Sequence, residues 1–320
     1  MTEKIRQLTN KVRLSGALAE LDKDSKTGLY YKEGETKAGI PYISFSGAIQ
    51  CGESGVNSIR FRTFVKSKKT DGTDSKNYAN VKNWIMNAVP MTDDKENPTY
   101  VNAVGSIVDH PYVSRENKLI EAWEYNLQFF SDFEEYAADI DLEGFVHSIT
   151  DEIKNENSTG RKVMRLITRD MFGNTLDIKR VIVPEEFVEP LDDNGYERGV
   201  TAKFFLSLIP NKSAAKTKTG GIGTQRVEGG KPYLELTLTG ADPVIDSESE
   251  DALDPKLIKA AMVERQSRLD EINEAGYQGG SSKSESTVSG AARNGIGGAK
   301  VASAKAKAEV DETSDDDFPF

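Results

Sequence analysis

Cysteine is almost absent: Cys51 stands alone, so the chain closes no disulfide within itself and offers no thiolate cluster for zinc. Histidine is nearly as scarce. His110 and His147 are the two in the chain, neither belongs to a metal-spaced group such as HExxH, and both read as ordinary strand residues. Long apolar runs are missing as well, with nothing near the roughly 18 consecutive residues of a membrane span. The opening MTEKIRQLTNKVRLSG lacks the apolar core of a signal peptide. These absences predict a soluble protein of a reducing cytoplasm, with no metal, no cofactor and no membrane.

Catalytic constellations are also lacking. The glycine-rich GGIGT at 220–224 has neither the Lys-Ser/Thr pair nor the following helix of a phosphate loop. The carboxylate pairs Glu185/Glu186 and Asp192/Asp193 sit beside turn residues, without the spacing of a metal-dependent nuclease. The expectation is a protein that binds and does not catalyse.

Cations are in the minority, for a net charge of -11. The imbalance is uneven: residues 246–320 carry 16 acids against 9 bases, leaving 36 against 32 in residues 1–245. Local basic faces therefore remain open to the body of the chain.

What is present in that body is short β-branched and aromatic strands between turn signals. KVRLSGALAEL, PYISFSGAIQ and NSIRFRTFVK come first, then a helical SKNYANVKNWIMNAV, then YVNAVGSIVDH and LIEAWEYNLQFF. Three strands, a helix and two strands is the order of an OB-fold, a five-stranded Greek-key barrel. IDLEGFVHSIT, RKVMRLITRD, TLDIKRVIVP, VTAKFFLSLIP and PYLELTLTGAD repeat the series. Gly16 and Gly144 occupy matching places in the two first strands, where a coiled strand bends. In the second series the segment EEFVEPLDDNGYERG is short, so its helix is expected to be missing or one turn long.

The predicted fold is thus mainly β: two OB-fold-like barrels in tandem, at 1–137 and 138–245. A helix at 246–276 has Asp254 as N-cap, Pro255 at its first position and Gly276 at its end. Its apolar stripe, Leu257, Ile258, Ala261, Leu269 and Ile272, predicts docking on a barrel or pairing in a homodimer. A Gly/Ser/Ala/Lys linker at 277–308 and an acidic tip at 309–320 follow, neither able to build a core.

The binding candidates lie on strands. In SIRFRTFVK, Ile59, Phe61, Thr63 and Val65 point one way and Arg60, Arg62, Phe64 and Lys66 the other, with Lys68 and Lys69 extending the row. Cations interleaved with a ring suit a single strand of nucleic acid, whose phosphates need charge and whose bases need a stacking surface. A solvated outer face would look the same. Tyr42 adds a ring on the neighbouring strand. Tyr30 and Tyr31, in the loop before it, either stack on a base or fold back over the barrel end.

Trp84 and Trp123 read as core, the latter in register with Tyr125, Leu127 and Phe129. In the second series Arg161, Arg165 and Arg169 recur every fourth residue, either to track a phosphate backbone or to pair with acids such as Asp177. A glycine-rich arm with Lys212, Lys216 and Lys218 is read as mobile and able to close over them.

The chain ends Asp315, Asp316, Asp317, Phe318, Pro319, Phe320. Solubility alone does not require terminal aromatics. This ending, behind a Gly/Ser-rich linker and OB-like strands, resembles the tip of bacterial single-stranded DNA-binding proteins, with Phe318 at the variable apolar position. Two barrels per chain look more like a phage-encoded or tandem version of that family than its common shorter form. The resemblance implies sequence-nonspecific coating of single-stranded DNA in replication, recombination and repair. It also implies recruitment of partner proteins by the tip, with Phe320 entering an apolar pocket and the acids meeting a basic rim. The alternative is a protein adaptor that carries the same docking tail without coating DNA.

Overall fold

The computed structural model describes residues 5–53, 57–69, 71–154, 156–212, 216–218, 226–228 and 232–277, and of 212–232 the backbone alone. Among the described residues the first series gives β1 (Asn10–Leu21), β2 (Lys32–Glu35), β3 (Pro41–Gln50), β4 (Ser58–Lys66), α1 (Lys76–Asn87) and β5 (Tyr100–Asp109). A small hairpin of β6 (Tyr112–Val113) and β7 (Leu119–Ile120) then leads into β8 (Trp123–Ser131). The second series gives β9 (Ala137–Lys154), β10 (Asn157–Arg169), β11 (Thr175–Val183), α2 (Glu185–Asp193) and β12 (Thr201–Lys212). The short β13 (Lys216–Lys218) and β14 (Arg226–Glu228) pair with each other before β15 (Pro232–Ala241) and α3 (Pro255–Ala275).

Strand pairing closes on itself twice. β1 pairs antiparallel with β3, β3 with β4, β4 parallel with β8, β8 with β5, and β5 back to β1. β9, β10, β11, β15 and β12 make the same circuit, again with one parallel contact, β11 to β15. The architecture is mainly β and OB-like, with a C-terminal helix.

The two circuits share one seam. Residues Asn10–Ser15 of β1 pair with Leu142–Ala137 of β9, and each strand then turns away to pair within its own circuit. Gly16 and Gly144 sit at these two handovers. A Cβ on Gly16 would lie 2.0 Å from the Gln50 carbonyl oxygen, and one on Gly144 3.1 Å from that of Ile167. The matched glycines therefore answer a close approach of backbones as well as a bend. Gly16→Ala should cost about 3 kcal/mol or more in thermal unfolding, because backbone must shift, and Gly144→Ala about 1 kcal/mol.

The alternation read from the sequence fills the core. Ile43, Phe45 and Ile49 of β3 and Ile59, Phe61 and Val65 of β4 are buried, as are Met164 and Leu166 of β10. Trp84 and Trp123 are partly buried against that core. Trp84 stacks on Phe130 at 4.2 Å and Trp123 meets Tyr125 edge-on at 5.2 Å.

Three expectations are corrected. The register between β5 and β8 shifts between Val104 and Gly105, so after Leu127 it is Phe130 that packs inward, while Phe129 is exposed. A bulge adds one residue and reverses the faces beyond it. α2 is nine residues long, more than one turn, because Phe187, Val188 and Leu191 pack on the core. Tyr31 leads directly into a strand, β2, where a loop was expected.

α3 begins and ends as its capping residues require. The Asp254 side chain accepts from the Lys256 N–H, and Gly276 takes φ 67°. It docks on the second circuit through Ile258, in a cluster with Ile5, Leu8, Phe145, Ile167 and Leu253.

Candidate nucleic-acid interface

The outer face of β3 and β4 is built by register. Tyr42 lies opposite Lys66, Ser44 opposite Phe64 and Ser46 opposite Arg62, so one face carries two rings, two hydroxyls and the cations. The Tyr42 and Phe64 rings meet at 4.8 Å, tilted by 34°. Across β2, Gly34 lies under Tyr42, and a Cβ there would come within 2.7 Å of the tyrosine oxygen. The missing side chain lets the ring lie flat.

Beside these rings runs a groove of about 460 Å³ whose lining includes Tyr30, Tyr31, Ser44, Ser46, Arg60 and Arg62. Tyr30 donates its hydroxyl to Asp93 at 2.5 Å, with the Lys23 ammonium 4.9 Å from its ring centroid. Both tyrosines pack partly against the core while they line the groove. Of the two readings of that pair, packing against the core is the one the structure shows.

The groove is not purely basic. Arg60 pairs with Glu20 and, at 2.6 Å, with Asp22; Arg62 stands 3.5 Å from Glu124. Burial opposes ionisation of Asp22, but hydrogen bonds from Ser46 and Arg60 outweigh it and lower its pKa. These carboxylates remain well exposed, at 27–46%. Lys66 is half-buried beside Tyr42, and Lys68 and Lys69 are exposed in the following turn.

The arginines of β10 sit differently. Arg161 bridges Glu152 (2.6 Å) and Glu235 (3.2 Å), and Arg165 forks onto Asp177 with two 2.9 Å bonds. Arg169 donates to the Ile5 carbonyl, under the N-terminal segment. The three do not form one open basic row. Acids from β9, β11 and β15 converge on Arg161 and Arg165, and the chain's own start covers Arg169.

Lys154 and Arg180 join the same network through Glu152. Burial opposes ionisation of Glu152, yet bonds from Arg161, Thr159 and Lys154 bring its carboxyl down to about 2. With the folded pKa depressed, its stabilisation is present above the unfolded value of 4.5 and is lost as pH falls toward 2. Glu152→Gln should therefore be less stable than the parent at pH 7, with the gap closing between pH 4.5 and 2, as read by urea denaturation across that range.

The side chains of Lys212, Lys216 and Lys218 lie outside the described residues, although β13 and β14 form a short backbone ladder where a mobile arm was expected. The tip Asp315 to Phe320 lies outside them entirely. His110 stands 4.0 Å from Glu124; burial, then Arg165, lowers the pKa of His147. No group of three metal-ligating side chains occurs among the described residues, nor any helix long and apolar enough to cross a membrane. Cys51 is buried, its thiol pushed up to about 12 by that burial.

Sequence reasoning missed Glu152 and Glu235, and also a buried ion-pair centre at Asp109. There Arg265 and Arg268 of α3 reach back to the first circuit. The one signal for it was the gap at position 265 in the apolar stripe of α3.

A family model described as YorF matches residues 9–275. No curated protein matches the chain. Among solved structures, the wild-type single-stranded DNA-binding protein from Thermus aquaticus aligns at 13% identity and a TM-score of 0.42, over 77% of this chain and 97% of its own. A deletion mutant of that Thermus aquaticus protein aligns at 12% identity and the same TM-score, over 77% of this chain and 100% of its own.

Proposed function

This chain belongs to the YorF family, and we propose that it binds single-stranded DNA without sequence preference and recruits partner proteins through its acidic tip. The observation that carries the reading is the outer face of β3 and β4, where Tyr42 and Phe64 meet at 4.8 Å beside Arg60, Arg62 and Lys66. Rings of this kind take the π-faces of successive bases, and the cations take the phosphates between them. In this reading each five-strand circuit is one OB-fold-like barrel, the two stand in tandem at 1–137 and 138–245, and strands two and three of the first form the binding surface.

Tyr30, Tyr31, Lys68 and Lys69 extend that surface. The tip, Asp315, Asp316, Asp317, Phe318, Pro319 and Phe320, is the docking arm for replication, recombination and repair proteins, tethered by the linker at 277–308. We place the activity in the cytoplasm of a bacterial or phage-infected cell. The rival reading, a protein adaptor, draws on the acids Asp22, Asp24 and Glu124 in the same groove.

Fluorescence titration with an oligothymidylate, at low and high salt, separates the two. If Arg60, Arg62, Lys66, Lys68 and Lys69 each meet a phosphate, log K falls with log salt at a slope of about -3.5. A chain ending at Tyr277 binds more tightly than the full chain, because the acidic tip competes with DNA for the same cations. No binding by either form at low salt overturns the proposal and leaves the adaptor.

A further inference from the structure

We propose that the two circuits are unequal, and that the face of the second is held in a self-neutralised, weakly binding state by Glu152, Asp177 and Glu235. The inference rests on the single-stranded DNA reading and assigns the main grip to the first circuit.

The two faces differ in which ion pairs a phosphate can open. In the first circuit Arg60 and Arg62 pair with Glu20, Asp22 and Glu124, carboxylates 27–46% exposed. Exposed pairs hold little net energy, because water solvates the acid as soon as its cation leaves. A phosphate exchanges with them readily. In the second circuit the acids are nearly inaccessible: Glu152 is 2% exposed, Asp177 1% and Glu235 5%. To take Arg161 or Arg165, a phosphate must leave a buried carboxylate short of its partner, which is a severe penalty.

The network is also closed by neutral donors. Thr159 donates to Glu152 at 2.9 Å, Asn211 to Glu235 at 2.8 Å, and Tyr233 spends its hydroxyl on Glu235 at 3.2 Å. These bonds fix the carboxylates in place whether or not a strand of DNA is near.

Stacking points the same way. β3 and β4 present Tyr42 and Phe64 outward, whereas β10 and β11, NSTGRKVMRLITR and TLDIKRVIV, contain no aromatic residue. On these strands the second face lacks rings, and its arginines Arg161, Arg165 and Arg180 all meet buried acids. That leaves Lys162 and Lys179, paired with the more exposed Asp192 and Glu121, as its readily opened cations. This face supplies shape to the assembly and little grip of its own.

The test is an oligothymidylate titration of the full chain and its variants, each checked for folding by circular dichroism. Arg60→Ala is expected to weaken binding about tenfold, and Arg161→Ala less than twofold. Asp177→Asn and Glu235→Gln are expected to tighten it several-fold, each steepening the salt slope by about 0.7. Equal losses from Arg60→Ala and Arg161→Ala, or no gain from the two neutralised carboxylates, overturn the inequality while DNA binding stands. Failure of every form to bind at low salt overturns the DNA reading itself. Should the carboxylate variants unfold, photocrosslinking of a 5-iodouracil oligonucleotide to the unaltered chain decides: adducts on Tyr42 and Phe64 support the proposal, and adducts shared equally with β10, β11 and Tyr233 overturn it.

Discussion

Asp109→Ala should lower the folding stability by about 3–5 kcal/mol, because it leaves buried guanidinium charge short of its partner. The Asp109 carboxylate is 1% exposed; it accepts from Arg268 and, at 3.3 Å, from Arg265, which is itself 5% exposed. Glu121, 2.6 Å from Arg265, remains after the substitution but also serves Lys179. Arg268 is 29% exposed and can turn to water, so the loss falls mainly on Arg265, which is buried. The backbone N–H of Asp109 donates to Asp170, whose own pKa burial raises, so the site has no slack acid to offer.

The consequence reaches beyond one strand. Arg265 and Arg268 belong to α3, whose Ile258, Ala261 and Met262 pack with Phe145 and Ile167 of the second circuit, while Asp109 closes β5 of the first. Losing the pair should therefore loosen α3, seen as faster amide hydrogen exchange over 255–275 together with a lower urea midpoint. Glu116→Ala, which removes an exposed pair with Lys118, should stay within about 0.5 kcal/mol and serves as the control. A loss below about 1 kcal/mol for Asp109→Ala would show that the helix is held by its apolar contacts alone.

Removing the outward rings should give the largest effect on DNA affinity. Each base stacked on a ring is worth about 1–3 kcal/mol by alanine substitution, so Tyr42→Ala and Phe64→Ala should each weaken oligothymidylate binding by about 5- to 150-fold. Because the two rings touch, the double variant should lose less than the product of the single losses. Phe64→Tyr keeps a π-face and should bind within about threefold of the parent, whereas Phe64→Leu keeps the bulk and should not. Both positions are half-buried on the outer face, so thermal unfolding should move little. Parent-like binding by Phe64→Leu would rule out stacking at this position.

Much of the fold was legible because the relevant forces are local. Alternation in PYISFSGAIQ and SIRFRTFVK sets which side chains enter the core, and Asp254, Pro255 and Gly276 mark both ends of α3. The same alternation placed Arg60, Arg62, Phe64 and Lys66 together. Local rules failed where one inserted residue or a distant neighbour intervened. The bulge in β8 exchanged Phe129 for Phe130, and packing extended α2 to nine residues.

By itself the sequence determined the main strands of both series, the two faces of β3 and β4, and the two ends of α3. It did so because side-chain direction along a strand and capping at a helix end depend on residues a few positions apart. Only the tertiary structure decided which cations are already spoken for. Arg161 meets Glu235 across 74 residues and Arg268 meets Asp109 across 159; separations of that size carry no periodic signal. An arginine facing outward looks the same in the sequence whether its acid is exposed or buried, and burial of that acid decides whether a phosphate can displace it.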